Sequence, residues 1–362
     1  MSKILISGYY GFSNAGDEAM LAAIIGALRK EKPPTEITVI SGDPENTADK
    51  HDVYSVHRFN FFQIIEAMAR CNLLLSGGGS LLQDITSKRS LLYYLSILML
   101  GKLMGKKVML YAQGIGPIRS RFARKLVAYV CRKADLVTVR DDGSSEELRQ
   151  MGVPSNQIIV TADAVFALNP SAKISGKRIL QDRSITLAKP VIGFSVRQWS
   201  GEERFTAIFA EAVDLLVQKY DAEIVFIPMQ FPADNNVAAM IIQKVKAREN
   251  VTILDEGYST EEYMSLIANC TLVIGMRLHA LVFAALSEVP FLAVSYDPKV
   301  DRFVRSMDGK TAGDIQAITS NDIVQATEKI WQKTAYKQNE QISKLRKEAQ
   351  FNALRAIKLL PK

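Results

Sequence analysis

CTLVIGMRLHALVFAALSEVPFLAVSY, residues 270–296, decides the fold. A short β-branched run ends at Gly275. An apolar stretch of helical length follows, and after Val289-Pro290 a second β-branched run begins. Two apolar strands joined by a helix read as a parallel βαβ unit. The joining stretch LHALVFAAL is apolar on nearly every face, so it belongs between layers rather than on a surface. Arg277 and His279 stand at its entrance, where ionisable groups are costly unless they meet a partner or do chemistry. His279 is one of only three histidines in the chain.

Outward from this unit the same alternation covers the chain. KILIS, EITVIS, NLLLSGGG, KVMLYAQGIG, DLVTVRDD and QIIVTADA form one series, and PVIGFSVR, EIVFIPMQ, NVTILDE, CTLVIGMR and VPFLAVSY a second. The fold class is therefore α/β, with two Rossmann-like doubly wound domains facing a cleft. Residues 1–170 make the first domain, the polar stretch 171–189 a linker, and 190–335 the second domain. Residues 336–362 form a basic helix with Ile342, Leu345, Ala349, Leu354, Ile357 and Leu360 near helical spacing. That helix packs back on the first domain or lies on a membrane surface.

The 362 residues are 48% apolar, enough for two cores, and carry a net charge of +7. Without basic-aromatic or Arg/Gly repeats this charge argues against nucleic acid and for small anionic substrates. Cys71, Cys131 and Cys270 are odd in number and set in apolar patterns, so they read as buried free thiols, and no metal site is expected. LLYYLSILML, residues 91–100, is too short to span a bilayer and reads as a core helix. The N-terminus opens directly into a strand without a leader pattern, which predicts a cytoplasmic protein.

Ligands of open parallel sheets sit beyond the carboxyl ends of the strands. GYYGFSNAGDEAM, residues 8–20, matches neither a dinucleotide fingerprint nor a P-loop, but offers a helix N-terminus beside Asn14, Asp17 and Glu18. The two acids favour the helix dipole or hold sugar hydroxyls. Gly77, Gly78 and Gly79 permit close backbone approach, with Gln83 and Asp84 following. Gln113 and Arg119 come after the next long strand, and Arg140 and Asp141 after the one beyond. Each arginine serves a salt bridge or a carboxylate or phosphate. In the second half Arg277, Leu278 and His279 meet a helix N-terminus, and Asp297 and Lys299 follow the adjacent strand. His51 and His57 read as surface residues.

Together NAGDE (14–18), GGGSLLQD (77–84), YAQGIGP (111–117), VRDDGS (139–144) and above all GMRLHA (275–280) resemble the polysaccharide pyruvyl transferase family. Order and length are similar to its CsaB-type cell-surface-anchoring branch, from Gly8 to Lys299. The resemblance implies a GT-B-like glycosyltransferase architecture. It also implies transfer of pyruvate from phosphoenolpyruvate, a co-substrate, as a 4,6-ketal, with no cofactor. The implied acceptor is a β-N-acetylmannosamine of a lipid diphosphate-linked disaccharide, a secondary cell-wall polymer precursor for S-layer anchoring, met at the anionic inner membrane surface.

In that chemistry His279 is the acid/base group and Arg277, with the Leu278 and His279 backbone, holds carboxylate or phosphate. Lys299 takes the departing phosphate, and Arg119 and Arg140 contribute from the first domain, their order undecided. Asn14, Asp17, Glu18, Gly77, Gly78, Gly79, Asp84 and Gln113 form the acceptor side. The competing readings are a nucleotide-sugar glycosyltransferase and a non-catalytic binder of anionic glycans. Oligomeric state, a homo-oligomer included, is open.

Overall fold

A computed structural model of the protein describes residues 2–85, 87–199, 201–332 and 339–361. The chain divides into two compact units. One comprises Met1–Phe12, Asp17–Leu168 and Ser343–Lys362; the other comprises Ser13–Gly16 and Asn169–Ile342.

The first unit is built on β1 (Ser2–Ser7), β2 (Thr35–Ser41), β3 (Tyr54–His57), β4 (Leu73–Ser76), β5 (Gly79–Leu82), β6 (Lys107–Ile115), β7 (Leu136–Val139) and β8 (Ile158–Val160). Their order is β3-β2-β1-β4-β6-β7-β8, with β5 paired to β6. The second unit holds β9 (Val191–Ser195), β10 (Glu223–Phe226), β11 (Val251–Ile253), β12 (Leu272–Gly275), β13 (Phe291–Ser295) and β14 (Lys310–Asp314), in the order β11-β10-β9-β12-β13-β14. Pairing is parallel in both sheets. Strands covered on both faces need continuous apolar sequence, and LLLS of β4 and LVIG of β12 are buried throughout.

Each order reverses once, between β1 and β4 and between β9 and β12. Loops leaving neighbouring strands toward opposite faces open a crevice at such a point. The register brings Ser7 beside Ser76 and Ser195 beside Gly275, so the glycine loops of the first unit and GMR of the second emerge at their own switch points. After β12 the helix Leu278–Leu286 buries every residue except His279. The helix Lys88–Leu103 sets Leu91, Leu95 and Leu98 into the first core. Among the described residues no helix is long and apolar enough to cross a membrane.

Two segments are placed differently from the sequence reading. Residues 171–189 are not simply a linker: Ile174–Asp182 is a helix lying on the helix Thr260–Ile267 in the second unit. Gly176 N donates to Ser265 Oγ at 2.7 Å, and a methyl on Gly176 would meet the Ser265 backbone. Only Gly176 and Leu180 of this helix are buried, too narrow a stripe to register as an apolar face.

Residues 13–16 lie within the range assigned to the first domain yet group with the second unit. Ala15 N donates to Met229 O at 2.8 Å, Phe231 N donates to Ser13 O at 3.2 Å, and Asn14 forms an antiparallel bridge with Gln230.

The final helix, Asn339–Lys358, buries Ala349, Ala353 and Ala356, and Asn352 Nδ2 donates to Thr161 Oγ1 at 3.1 Å in the first unit. Leu354, read as part of the apolar stripe, is 37% exposed. Ile342, Ala349 and Leu360 of that stripe are buried, and Ala353 and Ala356, which the reading passed over, are buried with them. The boundary placed between residues 335 and 336 lies outside the described residues.

Candidate active site

At the second unit's switch point Arg277 occupies the N-cap position of the helix Leu278–Leu286, and its side chain does not cap it. The guanidinium turns instead to Asp234. Nε donates to Oδ2 at 3.0 Å, Nη2 donates to Oδ1, and Nη2 also reaches Gln230 Oε1 at 3.3 Å. Asp234 is 1% exposed, and its Oδ2 accepts two further bonds, from Met229 N at 3.1 Å and Gln230 N at 3.0 Å. A buried carboxylate thus fixes both the arginine and the Met229–Gln230 turn, whose other edge carries Ser13–Ala15. Gly16, next in the chain, has no room for a side chain, because a methyl there would run into the His279 imidazole. Two segments distant in sequence, Met229–Asp234 and Ser13–Gly16, therefore set the position of Arg277 and His279. The N–H groups at the head of the helix, with no side chain capping them, are suited to an oxyanion.

Lys299 stands past the end of β13. Asp297 caps its helix by accepting from Lys299 N at 2.9 Å, and the ammonium lies 3.6 Å from Asp297 Oδ2 and 5.8 Å from the centre of the Tyr296 ring. The Arg197 guanidinium covers the same ring at 4.7 Å and donates to Tyr296 Oη at 3.0 Å, while Trp199 meets it edge-on at 5.4 Å. Arg197, Trp199 and Tyr296 were missed by the sequence reading, although Arg197 carries the signal that marked Arg277, an arginine just past a buried strand. Asp234 had no such signal. It sits in the first turn of the helix Ala233–Lys244, where an acid is ordinary, and 43 residues separate it from its partner.

In the first unit the switch point is filled by Tyr10, fully buried. A methyl on Gly77 would meet its hydroxyl, so that glycine is explained by packing. Gly78 and Gly79 border Met20, with the Asp17 carboxylate beside Gly79. Asn14 accepts from Gly16 N at 3.0 Å, and Glu18 accepts from Gly11 N at 2.8 Å and lies 3.2 Å from His51 Nε2. His51, read as a surface residue, has a side chain only 9% exposed because Glu18 draws it inward.

Two residues read as acceptor-side are bonded within the protein. Gln113 is fully buried, donating to Gly79 O at 2.5 Å and accepting from Ser76 Oγ at 3.0 Å, so its amide ties β4, β5 and β6 together. Asp84 is 8% exposed, and its oxygens accept from Arg119 N and Ser120 N, both at 2.8 Å. Burial alone would raise the Asp84 carboxyl; those two N–H groups and the nearby Lys88 and Arg119 charges outweigh it and hold it below the usual carboxylate range.

The two arginines left undecided also separate. Arg140 is enclosed, 3.1 Å from Asp163 and from Ser80 Oγ and 3.6 Å from Asp141, whereas Arg119 is exposed. The three cysteines are buried free thiols; burial pushes Cys71 up to about 11 and Cys131 and Cys270 up to about 12, so none is a nucleophile near neutrality. Among the described residues no group of His, Cys, Asp and Glu could hold a metal ion.

The polysaccharide pyruvyl transferase family model matches residues 14–298. The chain belongs to the polysaccharide pyruvyl transferase family. The matched span of this transferase family begins at Asn14, takes in Asp234, Arg277 and His279, and ends one residue before Lys299. A curated relative is the amylovoran biosynthesis protein AmsJ of Erwinia amylovora, 18% identical and aligned over 89% of this chain and 90% of its own.

Among solved structures the UDP-GlcNAc 2-epimerase of Methanocaldococcus jannaschii is similar with a TM-score of 0.70 and 14% identity, covering 99% of both chains. The Neisseria meningitidis UDP-GlcNAc 2-epimerase bound to UDP-GlcNAc follows at 0.65 and 14%, covering 99% of this chain and 98% of its own. Alr3699/HepE of Anabaena, in complex with UDP-glucose, gives 0.63 and 12%, with 99% and 97% covered. These likenesses show the fold, a GT-B-like pair of doubly wound units.

Proposed function

We propose that the protein transfers pyruvate from phosphoenolpyruvate, as a 4,6-ketal, onto a β-N-acetylmannosamine of a lipid diphosphate-linked precursor of secondary cell-wall polymer, releasing phosphate, in the service of S-layer anchoring. The family membership supports pyruvyl transfer. The observation that carries the donor assignment is the Arg277–His279 turn, held by Asp234 and pressed by Gly16 at the head of a buried helix. A dianionic phosphate and a carboxylate suit that helix head together with a guanidinium and, past the adjacent strand, an ammonium.

In the reaction C3 of the enol gains a proton and C2 becomes an oxocarbenium-like centre. One sugar hydroxyl bonds to C2, the C2–O bond to phosphate breaks, and the second hydroxyl closes the ketal. Of the two hydroxyl protons, one balances that given to C3 and the other leaves with phosphate. His279 is the group for this proton traffic, since an imidazole can both accept and donate a proton. Arg277 and the helix N–H groups steady the donor anions and Lys299 the departing phosphate. Of Arg119 and Arg140, Arg119 is the one whose side chain is open to a ligand.

The test is phosphate release from phosphoenolpyruvate with a synthetic prenyl-diphosphate disaccharide, with the ketal read by mass and NMR. His279→Ala should lower turnover by about 10²–10⁴-fold while the donor Michaelis constant changes little. Near-normal turnover in that variant removes His279 from the proton step. Thermal stabilisation by a UDP-sugar and none by phosphoenolpyruvate would point to a glycosyltransferase instead.

A further inference from the structure

We propose that the carboxyl-edge rim of the first unit, around Phe59, Phe61, Phe62 and Phe122, docks on anionic lipid. The proposal deepens the lipid-linked acceptor reading and rests on it for its purpose. Phe62 is 88% exposed, Phe59 72%, Phe122 71% and Phe61 61%. In the helix Phe61–Arg70 the core takes Ile64 and Met68, leaving Phe61, Phe62 and Ile65 open to solvent. Aromatic side chains this exposed belong where an apolar body meets a wet boundary.

The open residues share one rim. Strands β3, β5 and β6 belong to one parallel sheet, so the segments after them leave from the same edge. The Arg58 guanidinium lies 5.0 Å from the Phe59 ring and 4.8 Å from that of Tyr93, which ties the segment after β3 to the helix Lys88–Leu103. Asp84, by accepting from Arg119 N and Ser120 N, ties the segment after β5 to the start of the helix Arg121–Lys133, where Phe122 stands.

Charge selects the occupant. Residues 58–65, 85–92 and 118–125, the stretches that lie at this rim, together hold seven Lys and Arg and no Asp or Glu, and of these Arg124 is paired with Glu147. Aromatics interleaved with cations of one sign fit a headgroup layer bearing negative charge. A second copy of the chain would set this face against itself, like charge on like. The final helix, whose alanine stripe is buried, is not needed for this role.

Co-sedimentation of the full chain with vesicles of phosphatidylcholine alone or with phosphatidylglycerol tests the proposal. Wild type should bind the mixed vesicles, lose that binding at high salt, and ignore phosphatidylcholine. The pair Phe62→Ser with Phe122→Ser, and separately Arg121→Glu with Lys125→Glu, should each lower partitioning by about tenfold or more. Melting temperature, and phosphate release with a lipid-free disaccharide acceptor, should be unchanged in both. Equal binding of wild type and variants overturns the docking face, as does equal binding to both vesicle types. A dimer that the Phe62→Ser, Phe122→Ser pair dissociates, in a chain that does not bind mixed vesicles, reassigns the face to self-association. No phosphate release from wild type with either acceptor would sink the transfer reading and leave the vesicle result readable.

Discussion

The two sheets reverse their strand order at the same place, between the first and fourth strands of each, and they differ in what occupies the crevice there. In the first unit it holds Tyr10, buried against Gly77, with the amide of Gln113 bonded inside the sheet. In the second it holds a guanidinium, an imidazole and a buried carboxylate. Topology puts loops at equivalent places, and side chains decide whether the place is packed or chemically equipped. The glycines make the same point. Gly77 admits a neighbour's ring to a core, whereas Gly16 admits the ring of the proposed acid/base group.

The largest effect that would sharpen this contrast is at Asp234. Asp234→Ala leaves Arg277 without its carboxylate and frees two N–H groups of the Met229–Gln230 turn, for an expected loss of about 3–5 kcal/mol in denaturant unfolding together with loss of phosphate release. A stable, active variant would show that the arginine is positioned by something else. Next come paired glycine substitutions. Gly16→Ala forces the His279 ring aside, and turnover should fall by about 100-fold, since a displacement of about 1 Å at a reacting group has that scale. In Gly78→Ala the new methyl meets the Met20 thioether at 3.0 Å, and a flexible methionine yields, so turnover should stay within about threefold of wild type. Equal effects at the two glycines would erase the distinction between the crevices.

Smaller effects concern stability alone. Asp84 has a folded value lowered below its unfolded one, so its contribution is fully present above the unfolded value of about 3.9 and is lost as pH falls through the folded value. Asp84→Asn should therefore be less stable by about 1.5–3 kcal/mol at pH 7, with the gap to wild type closing on acidification below about pH 4. A gap that widens with acid would reverse the assigned sign. The smallest change is Tyr10→Phe. The buried hydroxyl makes no hydrogen bond among the described residues, so its removal should shift unfolding by less than about 1 kcal/mol, toward greater stability. A large loss would mean the hydroxyl has a partner and that the first crevice is polar after all.

Much of this was legible before any coordinates. Continuous apolar runs closed by glycine marked the buried strands, and an arginine and a histidine at the head of LHALVFAAL marked the second crevice. Local sequence could not separate Arg140 from Arg119, because both follow a buried strand, and only the enclosure by Asp163, Asp141 and Ser80 distinguishes them. Nor could it assign Ser13–Gly16 to the second unit, since two loop residues and the first two of the helix Ala15–Glu31 carry no periodicity of their own. The helix within 171–189 was hidden for a related reason, its contact face being one glycine and one leucine.

The sequence by itself determined the α/β class, the doubly wound pattern, the family and the His279–Arg277 pair, because these rest on periodicity and on residues close together in the chain. Tertiary structure alone decided that Asp234 grips Arg277 across 43 positions, that Gly16 lies under His279, and that Gly77 closes over a tyrosine. Those facts depend on which strands become neighbours, and parallel crossovers bring together residues whose separation along the chain says nothing about their distance in space.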